Sequence, residues 1–216
     1  LEPHRAVETL AWCEDVVQLV ASRESARHAR ATQADAVFSS GGDSSDKDDK
    51  DDQIIVANSG SFGNPPAQGV SFASGSLSGV TGNNGEFQYE TGKTVRFFIG
   101  DMNLGGSVEG KSVITPRDLV ESGAADTPAV TNISRLLLSL DSDPGDDIIT
   151  IPKAVRTAAV RSNEDVSSAI EFLDFSDDSA FVNAASQLVA VLTDDYPFTA
   201  TLVDADNAQQ RMIEKP

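Results

Sequence analysis

Apolar and polar residues alternate along much of residues 70–100, where short apolar segments are separated by glycine-rich turns. This pattern predicts three strands, over residues 77–81, 86–89 and 94–99. The turn Asn83-Asn84-Gly85 tolerates the positive φ of a tight connection, so the first two strands are predicted to form a hairpin. With further short strands on either side, residues 53–115 predict an antiparallel β-sandwich.

After residue 115 the spacing of apolar residues changes to three and four, as in an amphipathic helix. Thr115 and Thr127 each precede a proline, which is typical of the first turn of a helix. The clearest helix, which follows Thr127, carries five apolar residues on one face: Val130, Ile133, Leu136, Leu137 and Leu140. Further helices are predicted from residue 151, after residue 162, after a cap at Ser176, and over residues 204–214. Residues 116–216 therefore predict a small helical bundle, and the fold class is α+β.

Four aromatic residues bear on how the strands pack. Phe87 and Tyr89 share one face of their strand, whereas Phe97 and Phe98 point to opposite faces. One ring of the second pair therefore turns away from its neighbour's face, either to pack beneath the helical bundle or to join an exposed binding patch. Packing is the favoured interpretation, because a strand buried on both faces needs such a run.

The N-terminal quarter of the chain differs from the rest. Residues 1–38 predict a helical segment with a loose apolar stripe. Residues 39–52, SSGGDSSDKDDKDD, contain only glycine, serine, aspartate and lysine and have no apolar area to bury, so they predict a disordered linker. The predicted order is an N-terminal segment, a linker, a β-sandwich over 53–115 and a helical bundle over 116–216.

Composition narrows the classes of function. The 16 Lys plus Arg against 34 Asp plus Glu give a formal net charge of -18, which repels phosphate backbones and argues against nucleic acid as a partner. Cys13 is the only cysteine, and His4 and His28 are the only histidines. An internal disulfide is excluded, and so are a Ser-His-Asp triad and a histidine-rich zinc site within the predicted domains, so the chain is predicted not to be an enzyme. No apolar run is long enough to predict a transmembrane segment.

An acidic loop follows the clearest predicted helix. It contains Asp141, Asp143, Asp146 and Asp147 around the glycine at 145. Calcium takes about six to eight oxygen ligands, which clustered aspartates at a glycine turn supply, so these four residues are a candidate calcium site. The alternative is that the aspartates accept hydrogen bonds from backbone N–H groups at the end of the helix.

A family likeness rests on two groups of motifs. Residues 69–106, GVSFASGSLSGVTGNNGEFQYETGKTVRFFIGDMNLGG, resemble modules of secreted bacterial lipoproteins and surface proteins. The downstream ITPRDLV, AVTNISRLLLSLDSD and IITI are similar to motifs of the same proteins, so the resemblance covers about residues 61–151. The β part also resembles transthyretin-like domains of the carboxypeptidase-regulatory type, which implies a transthyretin-like or immunoglobulin-like sandwich.

The resemblance implies a non-catalytic module for binding, adhesion or scaffolding, located at the cell envelope (outer-membrane associated) or outside the cell. The implied partner is a protein or a surface polysaccharide. In such lipoproteins a tether follows a lipidated cysteine, and residues 39–43 resemble that tether, although Phe38 precedes them here; a lipid anchor would therefore belong to the full-length protein. The alternative is an accessory, non-catalytic domain of a larger secreted hydrolase.

Overall fold

The computed structural model describes residues 56–121 and 127–213. The predicted N-terminal segment (1–38) and linker (39–52) lie outside these ranges. The described residues belong to one compact unit of mixed α+β structure. Within the described ranges, no helix combines the length and the apolar character needed to cross a membrane.

The described β structure is divided among three groups of strands. The strands are β1 (Ala57–Phe62), β2 (Ala67–Gln68), β3 (Ser71–Ser74), β4 (Leu77–Val80), β5 (Glu86–Glu90), β6 (Thr94–Ile99), β7 (Met102–Asn103), β8 (Val108–Glu109), β9 (Val113–Ile114) and β10 (Ile149–Thr150). One sheet has the order β5-β1-β9, a second has the order β4-β3-β6-β7 with β8 also beside β6, and β2 pairs with β10. The β1–β9 and β2–β10 pairings are parallel, whereas the sequence predicted an antiparallel arrangement. Parallel partners lie far apart in sequence, where local patterns give no signal.

The predicted hairpin between the strands at residues 77–81 and 86–89 is wrong in its pairing. A turn is present, with φ of 71° at Gly85 and a 2.9 Å hydrogen bond from the N–H of Gly85 to the carbonyl of Gly82. However, β4 pairs with β3 and β5 pairs with β1, so this turn carries the chain from one sheet to the other. The physical reason is aromatic burial, because the crossing places Phe87 of β5 against rings of the second sheet.

The aromatic rings join the two larger sheets. The ring of Phe87 lies 5.9 Å from that of Phe72 and meets Phe97 edge-on at 5.1 Å, while Phe62 stacks on Phe97 at 4.0 Å. Such pairs add about 0.5–1.5 kcal/mol each beyond their buried area. Phe98, on the opposite face of β6, is half-buried and lies beside Arg96, whose Cζ is 5.6 Å from the ring centroid.

The helices follow the sequence predictions closely. They are a 3-10 helix (Pro116–Leu119), α1 (Pro128–Ser139), α2 (Lys153–Ala158), α3 (Glu164–Glu171), α4 (Asp178–Leu192) and α5 (Ala205–Ala208), which continues as a π-helical turn (Gln209–Ile213). The cap predicted at Ser176 lies one residue later: the carboxylate of Asp177 accepts a 3.0 Å hydrogen bond from the N–H of Ala180. Side chains of this kind satisfy N–H groups that have no partner within the helix.

Helix α1 lies at the centre of the molecule. The sequence predicted one apolar face, but all of its residues from Val130 to Ser139 are buried. The 3-10 helix, α4 and α5 all pack against it. Its polar residues find partners inside: the hydroxyls of Ser134 and Ser139 donate to the carbonyls of Val130 and Arg135, at 2.9 and 2.6 Å. Helix α1 is therefore buried on all sides while these two hydroxyl groups keep hydrogen-bond partners.

Both halves of the chain contribute to one hydrophobic core. Phe62, Phe97 and Ile114 of the strands belong to the same buried cluster as Leu136 of α1 and Leu188 of α4. Strand β9 ends at residue 114, and the 3-10 helix begins at residue 116. The predicted boundary at residue 115 therefore falls between β9 and the 3-10 helix, inside one compact unit.

Candidate functional site

A cleft of about 490 Å³ opens between the two halves of this unit. Its floor consists of buried apolar side chains, those of Met102, Leu119, Ile133 and Ile170. One wall is formed by the half-buried side chains of Leu173 and Phe175, which follow α3. Among the described residues, the charged groups that line the cleft are the carboxylates of Asp101, Glu121, Glu171 and Asp174 and the guanidinium of Arg161. The cleft thus combines an apolar floor with an acidic rim.

The glycine pair after β7 brings one edge of the cleft against the 3-10 helix. Gly105 has a φ of 84°, and a Cβ added there would lie 2.6 Å from the carbonyl oxygen of Leu119. The N–H of Gly106 donates to that same oxygen at 2.8 Å. The backbone therefore lies directly against the 3-10 helix, an approach that only a residue without a side chain allows at position 105. At Gly106 an added Cβ would make only an ordinary 3.4 Å contact.

The rim residue Asp101 is held by the end of α2. Its own N–H donates to the carbonyl of Ala159 at 2.8 Å, and its Oδ2 accepts from the N–H of Arg161 at 2.7 Å. The preceding Gly100 has a φ of 57°, and a Cβ there would lie 2.0 Å from the Ala159 oxygen. These contacts fix the β6–β7 turn, and with it one side of the cleft.

A second rim residue, Asp174, is held by Ser176. Its Oδ1 accepts from the hydroxyl of Ser176 at 2.6 Å and from the N–H of the same residue at 2.8 Å. The Ser176 hydroxyl and then its N–H lower the pKa of Asp174, so this carboxylate is ionised at neutral pH. The side-chain amide of Asn132 donates to the carbonyl of Phe175 at 3.1 Å, which ties the wall to α1.

The aspartates predicted to bind calcium are not gathered into one site. Asp141 is buried, with 2% of its surface exposed, whereas Asp143, Asp146 and Asp147 are exposed. Over residues 56–121 and 127–213, no group of three or more His, Cys, Asp or Glu side chains lies close enough to hold a metal ion. The observed contacts are those of the alternative interpretation: Asp146 accepts from the N–H of Ile148 at 2.8 Å, and Asp141 accepts from two backbone N–H groups.

Asp141 closes the acidic loop from inside. Its Oδ1 accepts from the N–H groups of Asp143 at 3.1 Å and of Thr150 at 3.0 Å, while its Oδ2 is buried with no hydrogen-bond partner. The neighbouring Tyr196 donates its hydroxyl to the carbonyl of Leu140 at 2.7 Å. Burial, together with the charge of Asp141, raises the pKa of Tyr196 to about 12. An ionised carboxylate in this position is poorly solvated.

We predict that ionised Asp141 weakens the folded state. Burial raises its pKa above the ordinary 3.8, and Asp146 adds to the shift, while the N–H groups of Thr150 and Asp143 and the charge of Arg211 oppose it. Because the pKa is higher in the folded than in the unfolded state, ionisation lowers stability at pH values above the raised pKa, and this loss is relieved as the pH falls through that pKa. Asp141→Asn is therefore expected to raise the melting temperature at neutral pH, with a smaller gain at about pH 4.

The exposed Asp143 provides the matched control for this prediction. It lies in the same loop, and Asp143→Asn removes the same formal charge without changing a buried group. Its melting temperature is expected to follow the wild type at each pH. If the difference in melting temperature between Asp141→Asn and the wild type were the same at both pH values, the proposed cause would be contradicted.

Three comparisons with known proteins give no family for this chain. No family model matches it, and neither does any curated protein or solved structure. The likeness to bacterial lipoproteins and to transthyretin-like domains therefore remains a prediction from the sequence. What the chain binds has to be argued from the shape and the charge of its own cleft.

Proposed function

We propose that this protein is a non-catalytic binding module of the cell envelope or of the secreted fraction, and that the cleft is its binding site. The proposed partner is a protein or a surface polysaccharide. The proposal includes the finer fold expected from the sequence, a transthyretin-like β-sandwich followed by a helical bundle. Calcium is left out of it, because the four aspartates of the acidic loop do not form a group.

The cleft is the observation that supports this proposal. Its volume of about 490 Å³ lies within the range of about 300–1,000 Å³ typical of ligand pockets. An apolar floor with a few polar groups at the opening is also the usual composition of such pockets. Asp101 and Asp174 are each held by hydrogen bonds to backbone N–H groups. Because these two rim carboxylates are already held in place, their side chains require little further ordering on binding.

The ring contacts between the sheets support the proposed sandwich. Phe87 of the β5-β1-β9 sheet contacts Phe72 and Phe97 of the sheet that contains β3 and β6. Two sheets whose inner side chains interdigitate across a common core are the defining feature of a sandwich. In this arrangement the β part acts as the support on which the cleft is built.

The variant Gly106→Leu tests the proposal, because its side chain is expected to fill the cleft. An added Cβ at this position makes no contact shorter than 3.4 Å, so the variant is expected to fold. Purified protein would be mixed with envelope preparations of cells that carry the natural gene, and the bound fraction measured by co-sedimentation. We expect Gly106→Leu to bind about tenfold more weakly than the wild type or worse, as for the loss of a central contact.

The control is Gly145→Leu. Gly145 lies in the acidic loop away from the cleft, and a Cβ there would lie 3.6 Å from the Asp143 carboxylate. It introduces the same side chain and is expected to bind like the wild type, and melting curves would establish that both variants fold. Equal co-sedimentation of the two variants would mean that the cleft is not the binding site. Recovery of the natural protein in the cytosol alone, after cell fractionation, would overturn the proposed location.

A further inference from the structure

We infer that the cleft binds a basic peptide segment of a partner protein, one that carries lysine or arginine next to a large apolar side chain. This inference rests on the proposed function and names the chemistry of its ligand. It follows from the two surfaces that meet in the cleft, the acidic rim and the apolar floor.

Carboxylates outnumber cations among the side chains that line the opening. Among the described residues that line the cleft, four carry carboxylates, namely Asp101, Glu121, Glu171 and Asp174, and one carries a guanidinium, namely Arg161. The whole chain has a formal net charge of -18, so its long-range field has the same sign as the rim. An acidic partner is therefore repelled both at a distance and at contact, while a basic segment is steered towards the cleft.

The apolar floor of the cleft favours a ligand that has apolar surface as well as a charged group. Leu173 and Phe175 are only half-buried, so part of each side chain remains accessible in the cleft, above the buried Ile133 and Ile170. A lysine or arginine places its methylene stem on apolar surface and its charged tip among carboxylates. A neighbouring apolar side chain of the partner removes further surface of Leu173 and Phe175 from water. A small inorganic cation would leave this apolar surface unused.

The fixed positions of two carboxylates add geometric selectivity. Each of Asp101 and Asp174 uses one carboxylate oxygen for a backbone N–H group, of Arg161 and Ser176 respectively. Held in this way, the two carboxylates present their charge without loss of side-chain freedom on binding. Glu121 and Glu171 are exposed, so they can be changed without disturbing the turns that shape the cleft.

Calorimetric titration with two end-blocked pentapeptides tests the inference on the full chain. One alternates lysine with leucine, and the other has glutamate in place of lysine. We expect the lysine peptide to bind and the glutamate peptide not to bind. The double variant Glu121→Lys plus Glu171→Lys is expected to weaken the lysine peptide by about tenfold or more, since it reverses two charges at the rim. Gly106→Leu is expected to abolish binding.

The control double variant is Glu109→Lys plus Asp195→Lys, which changes the net charge equally at exposed positions outside the cleft. It is expected to weaken binding of the lysine peptide by no more than about twofold, through the long-range electrostatic field alone. Equal weakening by the two double variants would overturn the inference, because it would show a general charge effect. Spermidine or a chitosan oligomer binding as tightly as the lysine peptide would overturn the assignment to a peptide.

These peptides also separate the inference from the function on which it rests. If the glutamate peptide bound the wild type but not Gly106→Leu, the inference of a basic ligand would be overturned, and the cleft would remain the binding site. If neither the wild type nor the variants co-sedimented with the envelope preparations, the proposed function would be overturned instead. That measurement uses no peptide, so the two failures can be told apart.

Discussion

Replacing Arg135 by alanine is expected to lower the free energy of unfolding by about 3 kcal/mol. The side chain is 10% exposed, its Nε donates to the carbonyl of Val203 at 2.8 Å, and its Nη1 donates to Asn132 at 3.0 Å and to Asp178 at 3.2 Å. Its Cζ also lies 5.2 Å from the ring centroid of Phe181. Alanine removes the donors and leaves oxygen atoms inside the protein without partners. Urea denaturation measures the loss.

The control for Arg135→Ala is Asp178→Asn, which weakens the ion pair but leaves the buried donors in place. Asp178 is 67% exposed, so its contribution is screened by water and is expected to be below about 1 kcal/mol. Arg135→Lys is expected to resemble alanine more than the wild type, because an ammonium group lacks the planar arrangement of donors. Equal losses for Arg135→Ala and Asp178→Asn would contradict the assigned role of the buried hydrogen bonds.

Gly69→Ala is expected to lower the free energy of unfolding by about 3 kcal/mol or more. The φ at this residue is 82°, and an added Cβ would lie 2.1 Å from the carbonyl oxygen of Ile151. The backbone cannot move aside easily, because the N–H of Gly69 donates to the carbonyl of Thr81 at 3.0 Å and its carbonyl accepts from Arg156 at 2.9 Å. The same guanidinium donates to the Ile151 carbonyl at 2.7 Å. Thermal melting and urea denaturation measure the effect.

Gly92→Ala separates the two causes combined at Gly69. Gly92 has a similar φ of 74°, but an added Cβ there meets nothing within 4 Å. Only the left-handed backbone conformation disfavours the substitution, which is expected to cost about 1 kcal/mol. The difference between the two variants is the contribution of the close approach between residue 69 and residue 151. A loss at Gly69 no greater than that at Gly92 would disprove this contact.

The sequence predicted the positions of helices and strands far better than it predicted which strands pair with each other. The strand at 94–99 and the helix after Thr127 carry strong local periodicity, and both form as predicted. The partner of β5 was predicted wrongly because a glycine turn specifies a change of direction, not the strand beside which the chain continues. The true partner, β1, is exposed over half its length and contains small polar residues, so it has no marked alternating pattern.

The candidate site could not be found from local patterns. The residues that line the cleft come from separate stretches of the chain, and Ile133 and Ile170 look like ordinary core positions of their helices. Arg135 gives no signal either, because a charged residue in an amphipathic helix usually faces water. The aspartates around 141 did give a signal, but clustered carboxylates look alike in sequence whether they meet around an ion or accept hydrogen bonds from the backbone.

The parallel pairing of β2 with β10 has a consequence for how the protein is made. A ribosome delivers residues 67 and 68 long before it delivers Ile149 and Thr150, their partners. Helix α1 likewise emerges before α4 and α5, which cover it. A nascent chain from which α4 and α5 have not yet emerged therefore leaves the apolar residues of α1 without these partners, and such exposed apolar surface is where chaperones and proteases act. The strand-rich half thus completes its folding only after most of the chain has been synthesised.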